Sequence, residues 1–195
     1  IISVIGGLLV ASGIILLISA NWDAIPRGVK LLTGLALMLG GHATGWWTRS
    51  RHPDFHKTAE AFHLVGSVLF LANIALIGQV YNLNSRPPNA VLVWWVGIAP
   101  LPWLLRSKPQ YVLTLCGFLL WLGMEFLAHE GWFYWRNGEL ALLFYPAIFT
   151  ALYAAGVRME RSSAKDFSSI TRRFGLFGLG ASLLPLLFGW QGGEK

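Results

Sequence analysis

Ile77-Gly78-Gln79-Val80-Tyr81-Asn82-Leu83-Asn84 is a polar elbow that ends one long apolar run just before Pro87-Pro88 opens the next. The run before it, from about Ala59 to Val80, is long enough to cross a hydrocarbon layer, which takes roughly 20 apolar residues in a helix. The elbow therefore reads as the turn of a membrane hairpin. Asn21-Trp22-Asp23 and the stretch from Glu125 to Trp132 are looser versions of the same element, so three polar turns alternate with apolar runs along the chain.

The composition agrees. The 195 residues are 55% hydrophobic and only 12% charged, with a mean hydropathy of +0.56, which places the chain in the membrane class. Seven spans would take about 140 residues and leave no room for a soluble domain, so a single transmembrane domain over 1–195 is expected. Fifteen Lys and Arg against nine Asp and Glu give a net charge of +6. These bases gather in alternate loops, without the stacking aromatics of a nucleic-acid groove, so nucleic acid is not an expected partner. The one cysteine, Cys116, excludes an intrachain disulfide and a zinc site built on several thiolates, and reads as a small buried hydrophobe. The chain opens at Ile1 inside an apolar segment without an initiator Met, and is expected to be a fragment of a longer protein.

In order, spans are expected over about Ile1 to Ala20, Val29 to Trp47, Ala59 to Val80, Pro88 to Leu105, from Tyr111 toward Glu125, Leu140 to Val157, and Phe174 to Trp190. The fold class is thus all-α, a polytopic bundle of about seven transmembrane helices in serial hairpins. Pro26 starts the second span, Gly41-His42-Ala43-Thr44-Gly45 gives it a small-residue stripe for close helix approach, and Pro100 and Pro102 kink the fourth. The longest polar loop is expected over Arg158 to Arg173.

Orientation follows from Lys and Arg. Ten lie in the loops after spans two, four and six (Arg49, Arg51, Lys57, Arg106, Lys108, Arg158, Arg161, Lys165, Arg172, Arg173), against five on the other side (Arg27, Lys30, Arg86, Arg136, Lys195). That excess puts the even-to-odd loops in the cytoplasm and the elbows outside. Trp46-Trp47-Thr48-Arg49-Ser50-Arg51, Trp103-Leu104-Leu105-Arg106-Ser107-Lys108 and Arg158-Met159-Glu160-Arg161-Ser162 echo one another at the ends of three hairpins. A true repeat and the common habit of closing membrane hairpins with aromatic and basic residues both account for this.

Ala20-Asn21-Trp22, Gly78-Gln79-Val80-Tyr81-Asn82-Leu83 and Leu101-Pro102-Trp103-Leu104-Leu105-Arg106-Ser107 resemble the bacterial predicted membrane proteins of domain of unknown function family 2157, over about residues 1 to 108. The resemblance implies a multi-pass protein of the bacterial inner membrane, preceded by a cytoplasmic helical segment and often followed by further spans. It implies no activity. Members frequently carry a histidine after the elbow tyrosine; Asn82 stands there in this chain, which weakens a metal or proton-relay role at that position.

Glu125 is the sharpest chemical candidate, because an acid on a spanning segment costs on the order of 3 kcal/mol at the helix centre on insertion scales. His129 lies one turn on, on the same face. A solvated structural acid and a proton, cation or substrate site are both open readings. Asn73, mid-span, is either glue between helices or part of a pocket, and Gln79, Tyr81 and Asn82 either cap the turn or bind a ligand. His56, Glu60 and His63 share one helix face as weak metal candidates without a fourth ligand; no metal, cofactor or catalytic residue is expected. No Gly-x-Ser-x-Gly elbow, P-loop or paired-aspartate signature is present, and an intramembrane lipid-modifying enzyme is the weakest reading. Ahead of it stand binding or translocation of a small polar solute or ion through an outward pocket of Glu125, His129, Asn73, Gln79, Tyr81 and Asn82, and a non-catalytic scaffold or sensor subunit. The bilayer, and a membrane-protein partner or second copy, are the expected partners.

Overall fold

The computed structural model describes residues 24–83, 86–127 and 139–187, apart from the side chains of 126–127, 139–143 and 184–187. Among the described residues all regular structure is helical: α1 (Arg27–Arg51), a 3-10 turn (Pro53–Phe55), α2 (His56–Val80), α3 (Pro87–Ile98), α4 (Leu101–Leu105), α5 (Lys108–Leu127), α6 (Glu139–Met159) and α7 (Lys165–Leu187). The expected first span and the outer turn from 128 to 138 lie outside the described residues. Among the described residues two stretches, Pro53–Val80 and Pro87–Leu105, are long and apolar enough to cross a membrane by length and composition.

Each boundary has a local cause. Pro26 leads α1, and its carbonyl accepts from the Val29 and Lys30 amides. Pro87 and Pro88 occupy the first turn of α3, where a missing N–H costs nothing. Pro100 and Pro102 divide α3 from α4, as expected. Arg106 then stops α4 in the left-handed region at φ 47°, while its own amide and that of Ser107 both reach the Pro102 carbonyl. Ser107 restarts the chain: its Oγ accepts the Gln110 amide at 3.4 Å, as an N-cap of α5.

The loop expected over Arg158 to Arg173 is largely helix, a correction. Only 160–164 turn, and α7 begins at Lys165. Phe167 and Thr171 are buried on the start of α7, and Phe167 stacks on Tyr111 with ring centroids 4.5 Å apart. This inward stripe keeps a charged segment helical where a charge count alone reads loop.

The helices pack as three pairs in series: α1 with α2, α3 with α5, and α6 with α7. These tight pairs are joined by the basic returns. The elbow at 77–83 instead passes the chain from the first pair to the second, so it links hairpins more than it makes one. Small residues set the close approaches. A Cβ on Gly41 would lie 3.2 Å from the Gly66 backbone, and one on Gly175 would lie 2.7 Å from the Tyr153 backbone. The central apolar cluster is Val91, Trp94, Ile98, Trp121 and Leu122, between α3 and α5.

The three basic returns share one end of the molecule. Arg49, closing α1, donates to the Leu105 carbonyl at the end of α4 at 2.5 Å, and Trp103 meets Phe167 edge-on at 6.0 Å. The elbow and Arg86 lie at the opposite end. Cys116, expected to be buried, is exposed on the outer face of α5, because the packed stripe of that helix runs through Tyr111, Thr114, Leu115, Trp121 and Leu122 instead.

Candidate functional site

The elbow end has three polar arrangements. First, α2 terminates in a Schellman turn: the Leu83 amide reaches back to the Gly78 carbonyl at 2.9 Å and the Asn82 amide to that of Gln79 at 3.4 Å. This requires Asn82 in the left-handed region, at φ 50°. Asn is among the few residues other than Gly that visit it routinely.

Second, the chain leaves this turn toward Arg86, whose guanidinium donates to Glu125 Oε2 at 3.1 Å. The Glu125 side chain is 1% exposed and that of Arg86 30%, so the acid is enclosed while its partner reaches the surface. The pair ties the start of α3 to the end of α5. Third, a groove of about 940 Å³ opens beside the elbow, its wall including Gln79, Asn82, Asn89 and the largely apolar faces of Ile74, Val93 and Met124.

Among the described residues, the members of the expected pocket do not line one cavity. Gln79 and Asn82 line this groove. Tyr81 is 54% exposed. Asn73 turns the other way, donating from Nδ2 to the Gly34 carbonyl of α1 at 3.0 Å and to Leu69 of its own helix at 2.8 Å. Gly34 has no Cβ at that contact; one would lie 2.2 Å from Asn73 Oδ1. Glu125 takes Arg86 as a partner, and His129 lies outside the described residues. Of the metal candidates, His56 is exposed, Glu60 half-buried and His63 buried. No group of three His, Cys, Asp or Glu able to hold a metal forms among the described residues.

A second polar region, nearer the basic end, was not legible from spacing. His42 and His63 face one another across α1 and α2 with their Nδ1 atoms 3.2 Å apart, one ring donating. Each imidazole lies against a glycine of the opposite helix: a Cβ on Gly66 would meet His42 at 2.7 Å, and one on Gly45 would meet His63 at 3.0 Å. The sequence signal is a His-x-x-Gly repeated on two antiparallel helices, His42 to Gly45 and His63 to Gly66. Ser67, one turn beyond His63 and fully buried, accepts from Gln110 Nε2 at 2.8 Å through Oγ and from Trp94 Nε1 at 2.7 Å through its carbonyl. A cavity of about 180 Å³ adjoins His42 and Ser67, walled otherwise by apolar groups such as Met38, Phe70 and Ile98. Farther along, the Tyr111 and Thr171 hydroxyls bond at 2.8 Å between α5 and α7. Among the described residues, side-chain hydrogen bonds thus join α2 to α3 and α5, and α5 to α7.

The model of the family described as predicted membrane protein, DUF2157, matches residues 1–111, more than half of the chain. The chain belongs to DUF2157. The match ends at Tyr111, so it takes in α1 to α4, the elbow, the paired histidines and Gln110, whereas Glu125 and the α6–α7 pair lie beyond it. No curated protein and no solved structure matches the chain. This DUF2157 protein is therefore a helical membrane protein by family, and its chemistry rests on the arrangements above.

Proposed function

We propose that this DUF2157 protein is a non-catalytic scaffold or sensor subunit of the bacterial inner membrane, with about seven spans, the basic returns in the cytoplasm and the elbows outside. The observation that carries this reading is the dispersal of the expected pocket. Asn73 bonds α1 and Glu125 holds Arg86 at the start of α3, so these two groups act between elements, while Asn82 shapes the turn at the end of α2. Polar groups bonded between helices fix one packing in a medium where apolar surface gives no preference.

The groove beside the elbow supports a second reading, in which Gln79 and Asn82 take up a small polar solute or ion from the outer side. One experiment separates the two. Protein reconstituted in liposomes is assayed for proton and potassium flux with pH- and potassium-sensitive dyes, with Glu125→Gln beside the wild type. The scaffold reading predicts no flux above empty liposomes from either protein, and a lower melting temperature for the variant. Wild-type flux abolished by Glu125→Gln, with the fold intact, would replace it with the transport reading.

A further inference from the structure

The α6–α7 return has a feature that neither the helix packing nor the elbow uses. A groove of about 570 Å³ there is lined by Ala154, Val157, Arg158, Arg161 and Ser162. Arg158 closes the last turn of α6 and Arg161 follows in the return. The backbone between them is fixed, since the Arg161 amide donates to the Arg158 carbonyl at 3.2 Å and the Ser162 amide to that of Met159 at 3.0 Å. Both arginines are exposed, and neither has an acidic partner among the described residues. The nearby Arg172, by contrast, is paired with Glu160 at 2.6 Å. Two uncompensated guanidinium groups thus leave one tight turn beside an apolar wall made by the end of a membrane helix.

We propose that this groove is a binding site for an anionic phospholipid, its phosphate held by Arg158 and Arg161 and an acyl chain lying along Val157 and Ala154. The proposal rests on reading α6 as a span whose last turn lies at the headgroup level. Guanidinium forks match phosphate oxygens bidentately, and their aliphatic stems lie on apolar surface while the charge stays in the polar layer. A free anion would use the two charges and leave the apolar wall uncovered. A lipid covers both, and basic sites beside cytoplasmic helix ends are where such headgroups are held.

The test is native mass spectrometry of the purified protein with equimolar phosphatidylglycerol and phosphatidylcholine. Wild type, Arg158→Gln/Arg161→Gln and the control Arg51→Gln/Lys57→Gln, at another return of the same end, are compared. The wild type is expected to retain phosphatidylglycerol preferentially, and the Arg158/Arg161 pair to reduce that preference roughly thirtyfold, at about 1 kcal/mol per charge. The control should change it less than threefold, and a large excess of inorganic phosphate should not displace the lipid. An unchanged preference in the Arg158/Arg161 variant, an equal loss in the control, or displacement by phosphate would overturn the site. Both side chains are exposed, so the fold should survive; Arg161→Gln alone repeats the test if the double variant does not fold. Release of the protein from membranes by alkaline carbonate would overturn the span reading and the site with it, whereas retention with an unchanged lipid ratio overturns the site alone.

Discussion

Removing Arg86 should be among the most damaging single changes in the protein, and more damaging than neutralising its partner. The Glu125 side chain is 1% exposed and lies 3.1 Å from the guanidinium. Arg86→Ala leaves a buried carboxylate without that cation, a change that costs about 3 to 5 kcal/mol when both members of a pair are enclosed. Because the Arg86 side chain is 30% exposed, water screens part of the attraction and the lower end, about 3 kcal/mol, is expected. Glu125→Gln keeps an acceptor for the guanidinium and removes the charge, so about 1 to 2 kcal/mol is expected. Arg86→Met/Glu125→Leu removes both charges and should recover most of the Arg86→Ala loss, since apolar replacements of a buried pair are often neutral. The assay is unfolding in mixed micelles followed by tryptophan fluorescence, with Arg86→Ala, Glu125→Gln and their combination closing a double-mutant cycle. A coupling of about 2 kcal/mol is expected; additive effects within about 0.5 kcal/mol would show that the pair does not hold α3 to α5.

The same assay reads three further changes. Asn82→Ala should cost about 1 kcal/mol and Asn82→Gly nothing or less, because the position sits at φ 50° and only the former carries a left-handed penalty; equal costs would refute the turn argument. Gly66→Val should disrupt the α1–α2 pair, since even a Cβ there lies 2.7 Å from His42, with a loss of about 1 to 3 kcal/mol from overpacking that His42→Ala partly relieves. Gln110→Ala should cost about 1 kcal/mol through its bond to Ser67, and a value near zero would mean that this bond adds nothing to the docking of α5 on α2.

The elements that could be read from the chain are those with a strong local cause. The apolar run ending at Val80 matches the end of α2, the prolines at 87–88 and 100–102 mark the start and the break of the next span, and Gly41 with Gly45 marks the close face of α1. The start of α7 is not legible in the chain because charge masks a buried stripe: Phe167 and Thr171 alternate with Lys165, Asp166, Arg172 and Arg173, and only the contact with Tyr111 shows which face decides. The candidate site was harder still. Helical spacing says which residues share a face, but not what that face meets. Asn73 therefore reads as either glue or a pocket residue, and its bond to Gly34 depends on a neighbouring helix. Ser67 and Gln110 lie 43 residues apart, and no local pattern joins them. Arg86 entered the charge count only as a loop base, although its distance to Glu125 makes it the acid's partner.

The shared placement of the basic returns at one end, opposite the elbow, is the claim on which both the orientation and the lipid site depend. It is tested by replacing the exposed Cys116 with Ser and introducing single cysteines by Tyr81→Cys at the elbow and Ser162→Cys in the α6–α7 return, both positions being exposed. Labelling of spheroplasts with a membrane-impermeant maleimide should modify the Tyr81 variant directly and the Ser162 variant only after the membrane is permeabilised. Labelling of both positions in intact spheroplasts, or of the Ser162 position alone, would contradict the account.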